Sequence, residues 1–172
     1  PLFFRRELDM KTGCLTRHVI VEVGKGSRVR LAFRRFLSMD DRHLAYVSVA
    51  VTPINQPVKL EVEASLDGDV RNQDANYEER FWTIEENSTS DDYTYLAAKT
   101  RKTGYLLGAA QSVAVKLNDQ VLPAYKEIVS TKDKNGYLLK ADITKDDTLT
   151  IDKFAAVYTS RDLPEKDISK TA

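Results

Sequence analysis

From Val58 to Asp67 apolar and polar residues alternate without a break. Val58, Leu60, Val62, Ala64 and Leu66 fall on one side, and Lys59, Glu61, Glu63, Ser65 and Asp67 on the other. A period of two is what an extended backbone imposes, because successive side chains leave opposite faces of the pleat, so the run reads as a half-buried antiparallel strand. Similar runs recur between turn signals. Leu15, Val19, Val21 and Val23 share a face, and Gly24-Lys25-Gly26-Ser27 reads as a hairpin turn. The return strand carries Val29, Leu31, Phe33, Arg35 and Leu37 on one face and Arg28, Arg30, Ala32, Arg34 and Phe36 on the other. A strand over 43–52 is closed by Pro53 and Pro57, which lack the N–H a ladder needs. Further strands are expected over 81–85, 93–99, 105–117, 121–130, 137–143 and 148–160, with turns at Asn118-Asp119, Asn135-Gly136 and Asp146-Asp147. About ten strands at hairpin spacing, with no helical pattern before Leu163, predict an all-β protein, an antiparallel two-sheet β-sandwich.

Composition bounds the function classes. A chain of 172 residues buries a core without disulfides or metals. With 42% hydrophobic and 30% charged residues it is neither disordered nor built to span a bilayer, and no apolar run approaches the roughly 20 residues a spanning helix needs. The single cysteine, Cys14, has no intramolecular partner, which predicts a reducing, cytoplasmic setting. The start at Pro1-Leu2-Phe3-Phe4 shows neither an initiator Met nor a signal-peptide pattern and reads as the beginning of an excised piece. The zero net charge is unevenly distributed: the first 42 residues are basic, and 59–92 is acidic. Two readings follow, solvated sheet faces or mutual attraction within the fold or toward a second domain or subunit. Arg28, Arg30, Arg34 and Arg35 with Phe33 and Phe36 resemble a nucleic-acid surface only locally; the neutral total argues against that partner.

Residues able to carry chemistry concentrate in one segment. His18 and His43 lie on different strands without partners at metal spacing, Cys14 has no His-Asp arrangement near it, and the Gly24–Gly26 turn joins two strands rather than opening a helix. Asn87-Ser88-Thr89 fits a glycosylation sequon, a tripeptide common by chance. The exception is Gly68-Asp69-Val70-Arg71-Asn72-Gln73-Asp74-Ala75-Asn76-Tyr77-Glu78-Glu79-Arg80-Phe81-Trp82, too polar for a core and too aromatic for a plain solvated loop. Its acids Asp69, Asp74, Glu78 and Glu79 are the carboxylates from which a pair at roughly 6.5–9.5 Å, as inverting glycosidases use, would be drawn. The bland reading has Asn72, Asn76 and the acids capping turns while Tyr77, Phe81 and Trp82 anchor the loop. The sharper one makes Asn72, Asp74, Asn76, Tyr77, Glu78, Arg80, Phe81 and Trp82 a domain interface or the border of a sugar pocket.

This segment closely resembles the N-x-x-A-N-Y-x-E-x-F-W stretch in the amino-terminal domain of glycoside hydrolase family 65, which holds maltose, kojibiose and trehalose phosphorylases. The resemblance runs from about residue 8 to 162 in the family's order. Leu8-Asp9-Met10-Lys11-Thr12-Gly13-Cys14-Leu15-Thr16-Arg17 is similar to its L-D-M-x-x-G-x-L-x-R hairpin. Arg35-Phe36-Leu37-Ser38 with Leu44 resembles its R-F-L-S…L segment, Asp67 to Asn72 its D-x-x-V-x-N run, and Val157-Tyr158-Thr159-Ser160-Arg161-Asp162 its closing V-x-T-S-R-D strand.

The resemblance implies a truncated supersandwich like that of galactose mutarotase over 1–162. In the family further strands precede the L-D-M hairpin; without them an edge or groove is exposed, or another copy covers it. Over 163–172, where Pro164 and Glu165 read as a helix start, it implies a linker leaving for an (α/α)6 catalytic barrel. The family's catalytic glutamate and phosphate-binding residues lie in that barrel, and no position here matches them, so no catalytic residue is carried over and no metal site is implied. The implied parent splits an α-glucoside by inverting phosphorolysis to β-glucose 1-phosphate, with phosphate as co-substrate and no cofactor. Its domain partners would be the barrel and a second subunit, with weak carbohydrate contact. Alternatives are a stand-alone carbohydrate-binding module and a domain of an acid trehalase-like hydrolase.

Overall fold

The computed structural model describes residues 1–71, 79–122 and 126–172. Among them, twelve strands and one helix form: β1 (Phe3–Asp9), β2 (Cys14–Val23), β3 (Ser27–Leu37), β4 (Leu44–Pro53), β5 (Val58–Asp67), β6 (Trp82–Thr89), β7 (Thr94–Thr100), β8 (Leu106–Leu117), β9 (Gln120–Val121), β10 (Lys126–Ser130), β11 (Lys134–Ile143), β12 (Leu149–Thr159) and α1 (Glu165–Thr171). A nine-stranded sheet has the order β1-β2-β3-β4-β12-β8-β7-β6, with β9 paired to β8, and a three-stranded sheet has the order β10-β11-β5. This is the all-β, two-sheet antiparallel sandwich that the alternating pattern predicts.

Local chemistry explains the turns. The link from β2 to β3 places Gly24 at φ 54° and Gly26 at φ 80°, where a side chain would be strained. The β8–β9 loop is Asn118-Asp119 with both residues at positive φ, 49° and 65°, the signature of the two-residue hairpin whose twist matches its strands. The expected strand over 121–130 resolves into β9 and β10, and residues 123–125 between them lie outside the described ones. The strand expected over 81–85 runs from Trp82 to Thr89, with a bulge between Ile84 and Glu86 that shifts its register against β7.

One turn is corrected. Asn135-Gly136, read as a hairpin signal, lies inside β11, and the bend falls earlier, where Thr131 N–H donates to Lys134 O at 2.7 Å. Burial overrides the local preference. Asn135 is wholly buried, and its Nδ2 donates to Asn87 Oδ1 (2.7 Å), Ser88 O (2.9 Å) and Tyr95 O (2.6 Å). A Cβ on Gly136 would stand 2.3 Å from Ala64 O and 2.5 Å from Ser65 Cα, so only glycine lets β11 approach β5 this closely.

The chain divides into two compact units, 1–62 with 113–126 and 139–154, and 63–112 with 127–138 and 155–172. The first has a core of Val29, Val51, Val113, Val115, Leu139, Ile143, Leu149 and Ile151. It also holds a buried carboxylate, Asp152, at 3% exposure. Tyr46 Oη donates to it at 2.6 Å and Lys116 Nζ at 2.8 Å. Burial pushes this carboxyl up, but the hydrogen bonds from Lys116, Tyr46 and Ser48 outweigh burial and hold it below the usual carboxylate range. The unfolded chain therefore binds the proton first on acidification. The stabilisation is present above about pH 4, the unfolded value, and is lost as pH falls through the lower folded one. Asp152→Ala should cost about 2–3 kcal/mol at neutral pH, measured by urea unfolding, and should flatten the decline below about pH 4.

In the second unit the two sheets face each other across Gln111 of β8, whose Nε2 donates to Ala64 O of β5 at 2.9 Å, and across the Asn135 contacts to β6 and β7. Tyr95, Ala97 and Ala110 form a cluster on which Leu106 and Ala172 pack. Helix α1 seats Ile168, 0% exposed, against Gly108, where an added Cβ would stand 2.5 Å from Ile168 Cγ2. Pro164 occupies the N-cap with φ −56° and ψ 140° rather than the first helical position. Glu165 and Asp167 in the first turn and Lys170 in the last complement the helix dipole.

Candidate functional site

The acidic–aromatic segment leaves β5 at Asp67 and re-enters the sheet at Trp82. Asn72, Asp74, Asn76, Tyr77 and Glu78 lie outside the described residues; Arg80, Phe81 and Trp82 are described. Arg80 is the hub. Its guanidinium pairs with Asp69 on the same segment and with Asp133 in the bend before β11, where Nη1 and Nη2 both donate to Oδ2 at 3.1 Å. Asp133 first, and Asp69 after it, hold the Arg80 proton more firmly than usual. Asp133 O also accepts from Gly68 N–H at 2.8 Å, so both ends of the segment are tied to one residue.

Trp82 is half-buried, and its indole Nε1 donates to Gly68 O at 2.9 Å. Phe81 is half-buried too, and its carbonyl accepts from Arg101 N–H at 2.8 Å in the β7–β8 turn. That turn is stiffened by hydroxyls: Thr100 Oγ1 lies 2.7 Å from Thr103 Oγ1 and accepts from Tyr105 N–H at 2.8 Å. Glu79, Arg80, Phe81 and Thr100 to Thr103 line an open depression of about 310 Å³. Its wall is mainly the apolar surface of these side chains, more suited to stacking than to hydrogen bonding.

The geometry speaks to the acid–base reading. Asp69 is committed to Arg80 and also lies 3.7 Å from Arg71 Nε, so it is an ion-paired carboxylate. Of the rings read as anchors, Trp82 is held through its indole N–H to Gly68 O, and Tyr77 lies outside the described residues. Asp133 was missed by sequence reasoning. It lies 53 residues from Arg80, and a lone aspartate in a Lys-Asp-Lys run gives no signal of that pairing. The sequon is explained by structure as well: Asn87 Nδ2 donates to Thr131 O at 2.7 Å while its oxygen accepts from Asn135. Cys14 is half-buried beside Thr16, as expected of a packed thiol. In the basic front, Arg5 pairs with Glu7 and Arg28 with Glu22, while Arg17 stacks 4.1 Å from the Phe33 ring centroid.

Fold and segment together define a β-sandwich domain in which an Arg-centred hub ties down the two ends of a connection that closes on Phe81 and Trp82. Residues 1–172 match the family model described as "Glycosyl hydrolase family 65, N-terminal domain", and the chain belongs to that family. It is 27% identical to a kojibiose phosphorylase of Caldanaerobacter subterraneus subsp. tengcongensis over 99% of its length and 23% of the relative's. It is 28% identical to a maltose phosphorylase of Bacillus subtilis over 98% of its length and 22% of that protein's. In fold it is similar to the solved structure of a putative kojibiose phosphorylase from human microbiome, with a TM-score of 0.82 at 16% identity over 98% of this chain and 21% of that one. The chain thus spans between a fifth and a quarter of the length of these relatives.

Proposed function

We propose that this domain is the non-catalytic scaffold of a disaccharide phosphorylase. The parent would cleave an α-glucoside with phosphate to give β-glucose 1-phosphate in the cytoplasm, without metal or organic cofactor. The carrying observation is the family match over residues 1–172 together with relatives whose names are kojibiose and maltose phosphorylase. The chemistry is assigned to the remaining length of the polypeptide, in an (α/α)6 barrel. The domain's contribution is to buttress that barrel and border its sugar pocket with the segment that ends at Arg80-Phe81-Trp82, in a homodimeric parent. The engagement of Asp69 by Arg80 and of the Trp82 indole by Gly68 favours positioning over chemistry.

The competing class, a carbohydrate-binding module, requires an accessible aromatic platform, and Trp82 is the natural candidate. Titrating maltose and kojibiose into the chain by calorimetry is expected to give a flat trace. A saturable isotherm that Trp82→Ala abolishes would replace the scaffold with a binding module.

A further inference from the structure

In the second unit, Thr89 Oγ1, Thr94 Oγ1, Gln111 Oε1 and Asn135 Oδ1 are buried and have no hydrogen-bond partner among the described residues. Thr94 and Asn135 are 0% exposed and Gln111 2%. Leaving such groups dry costs stability, so native cores pair them with protein or with ordered water. The four are neighbours. Thr89 stands opposite Thr94 across β6 and β7, and Thr94 opposite Gln111 across β7 and β8, so three of them share one face of the nine-stranded sheet. That face looks toward β5, because Gln111 Nε2 reaches Ala64 O. Asn135 comes to the row from β11, bonded to Ser88 O and Tyr95 O, the main chain beside Thr89 and Thr94. The same contacts fix both amides. Turning Gln111 over would set its oxygen against Ala64 O, and turning Asn135 over would set its oxygen against two carbonyls.

We propose that this row is a binding site for ordered water inside the sandwich. One molecule bridges Thr89 and Thr94, one bridges Thr94 and Gln111, and Asn135 Oδ1 accepts from one of them. Neighbouring strands lie about 4.8 Å apart, too far for facing side-chain oxygens to bond directly and right for one water held at about 2.8 Å from each. Each water then has the roughly two to four polar partners that burial requires. The four oxygens are neutral, so a cation in their midst would lack a counter-charge, which water does not need. The row also backs the bend before β11. Asn87, whose Oδ1 accepts from Asn135, donates to Thr131 O just ahead of Asp133, the partner of Arg80. The inference concerns the core of this chain and holds whether or not the phosphorylase reading does.

Crystal structures of the 172-residue chain and of its Thr94→Ser and Thr94→Val variants, at a resolution that shows ordered water, test it. The expected result is water within about 3.2 Å of both Thr94 Oγ1 and Gln111 Oε1, kept in Thr94→Ser and displaced in Thr94→Val. Urea unfolding adds a readout of opposite sign for the two cases. Valine nearly matches threonine in shape, so removing a dry, orphaned hydroxyl should stabilise the chain. Removing a hydroxyl that holds water should instead shift the unfolding equilibrium about tenfold toward the unfolded state. No water at Thr94 in the wild-type chain, direct bonds among the four side chains, or a Thr94→Val chain at least as stable as wild type would each overturn the proposal. Should Thr94→Val fail to fold, the wild-type and Thr94→Ser structures decide it.

Discussion

Replacing Gly136 by valine is expected to leave the chain largely unfolded, with a stability loss of about 3 kcal/mol or more in urea unfolding. The reason is steric and admits little relaxation. The new Cβ would meet Ala64 O and Ser65 Cα at 2.3 and 2.5 Å, and both are main-chain atoms of β5 fixed by their own ladder. Relieving the clash means prying β11 from β5, half of the three-stranded sheet. Asn135 would move with β11 and lose donor contacts to two backbone carbonyls, Ser88 O and Tyr95 O. A Gly136→Val chain with wild-type stability would show that the close approach of these strands is not what the fold requires.

Ile168→Ala should destabilise by about 2–4 kcal/mol and free helix α1 before the sheets unfold. Ile168 is the one buried side chain of a seven-residue helix, and a helix that short does not persist without its tertiary anchor. Lys99 Nζ to Glu165, 3.3 Å apart and both partly exposed, adds little. Hydrogen exchange read along the chain should show loss of protection over Glu165–Thr171 at concentrations of denaturant where β7 and β8 remain protected. Cooperative loss of both at once would mean that the helix is integral to the sandwich rather than docked on it.

How much of this was legible in the sequence depends on which force decides each element. Where a strand has one buried and one solvated face, as in β5, the period-two pattern reports burial directly and the reading succeeds, whereas in β3 the alternation stops reporting burial after Phe33 and both faces of Arg34–Leu37 are exposed. Asn118-Asp119 was legible because positive φ at two successive residues is a local requirement that Asn and Asp meet. Asn135-Gly136 carries a similar signal but answers to tertiary contact: Asn135 satisfies carbonyls on neighbouring strands and Gly136 makes room for β5. Nothing in the adjacent residues separates the two cases. The β6 bulge was illegible for a related reason, since an extra residue in a register is defined by the partner strand. In the candidate site, the aromatic and charged composition of the segment singled out Arg80, Phe81 and Trp82. Their roles as hub, wall and anchor depend on Asp133, Arg101 and Gly68, whose contribution through distant pairing or backbone atoms no motif encodes.

The account rests on a division of labour in which this sandwich positions and another part of the polypeptide reacts. Incubating the purified 172-residue chain with phosphate and either maltose or kojibiose, and assaying glucose 1-phosphate, tests that division most directly. The expected result is no product above a protein-free blank at any chain concentration. Product that rises in proportion to the chain and is lost in Arg80→Ala would contradict it and place a reacting centre within the sandwich itself.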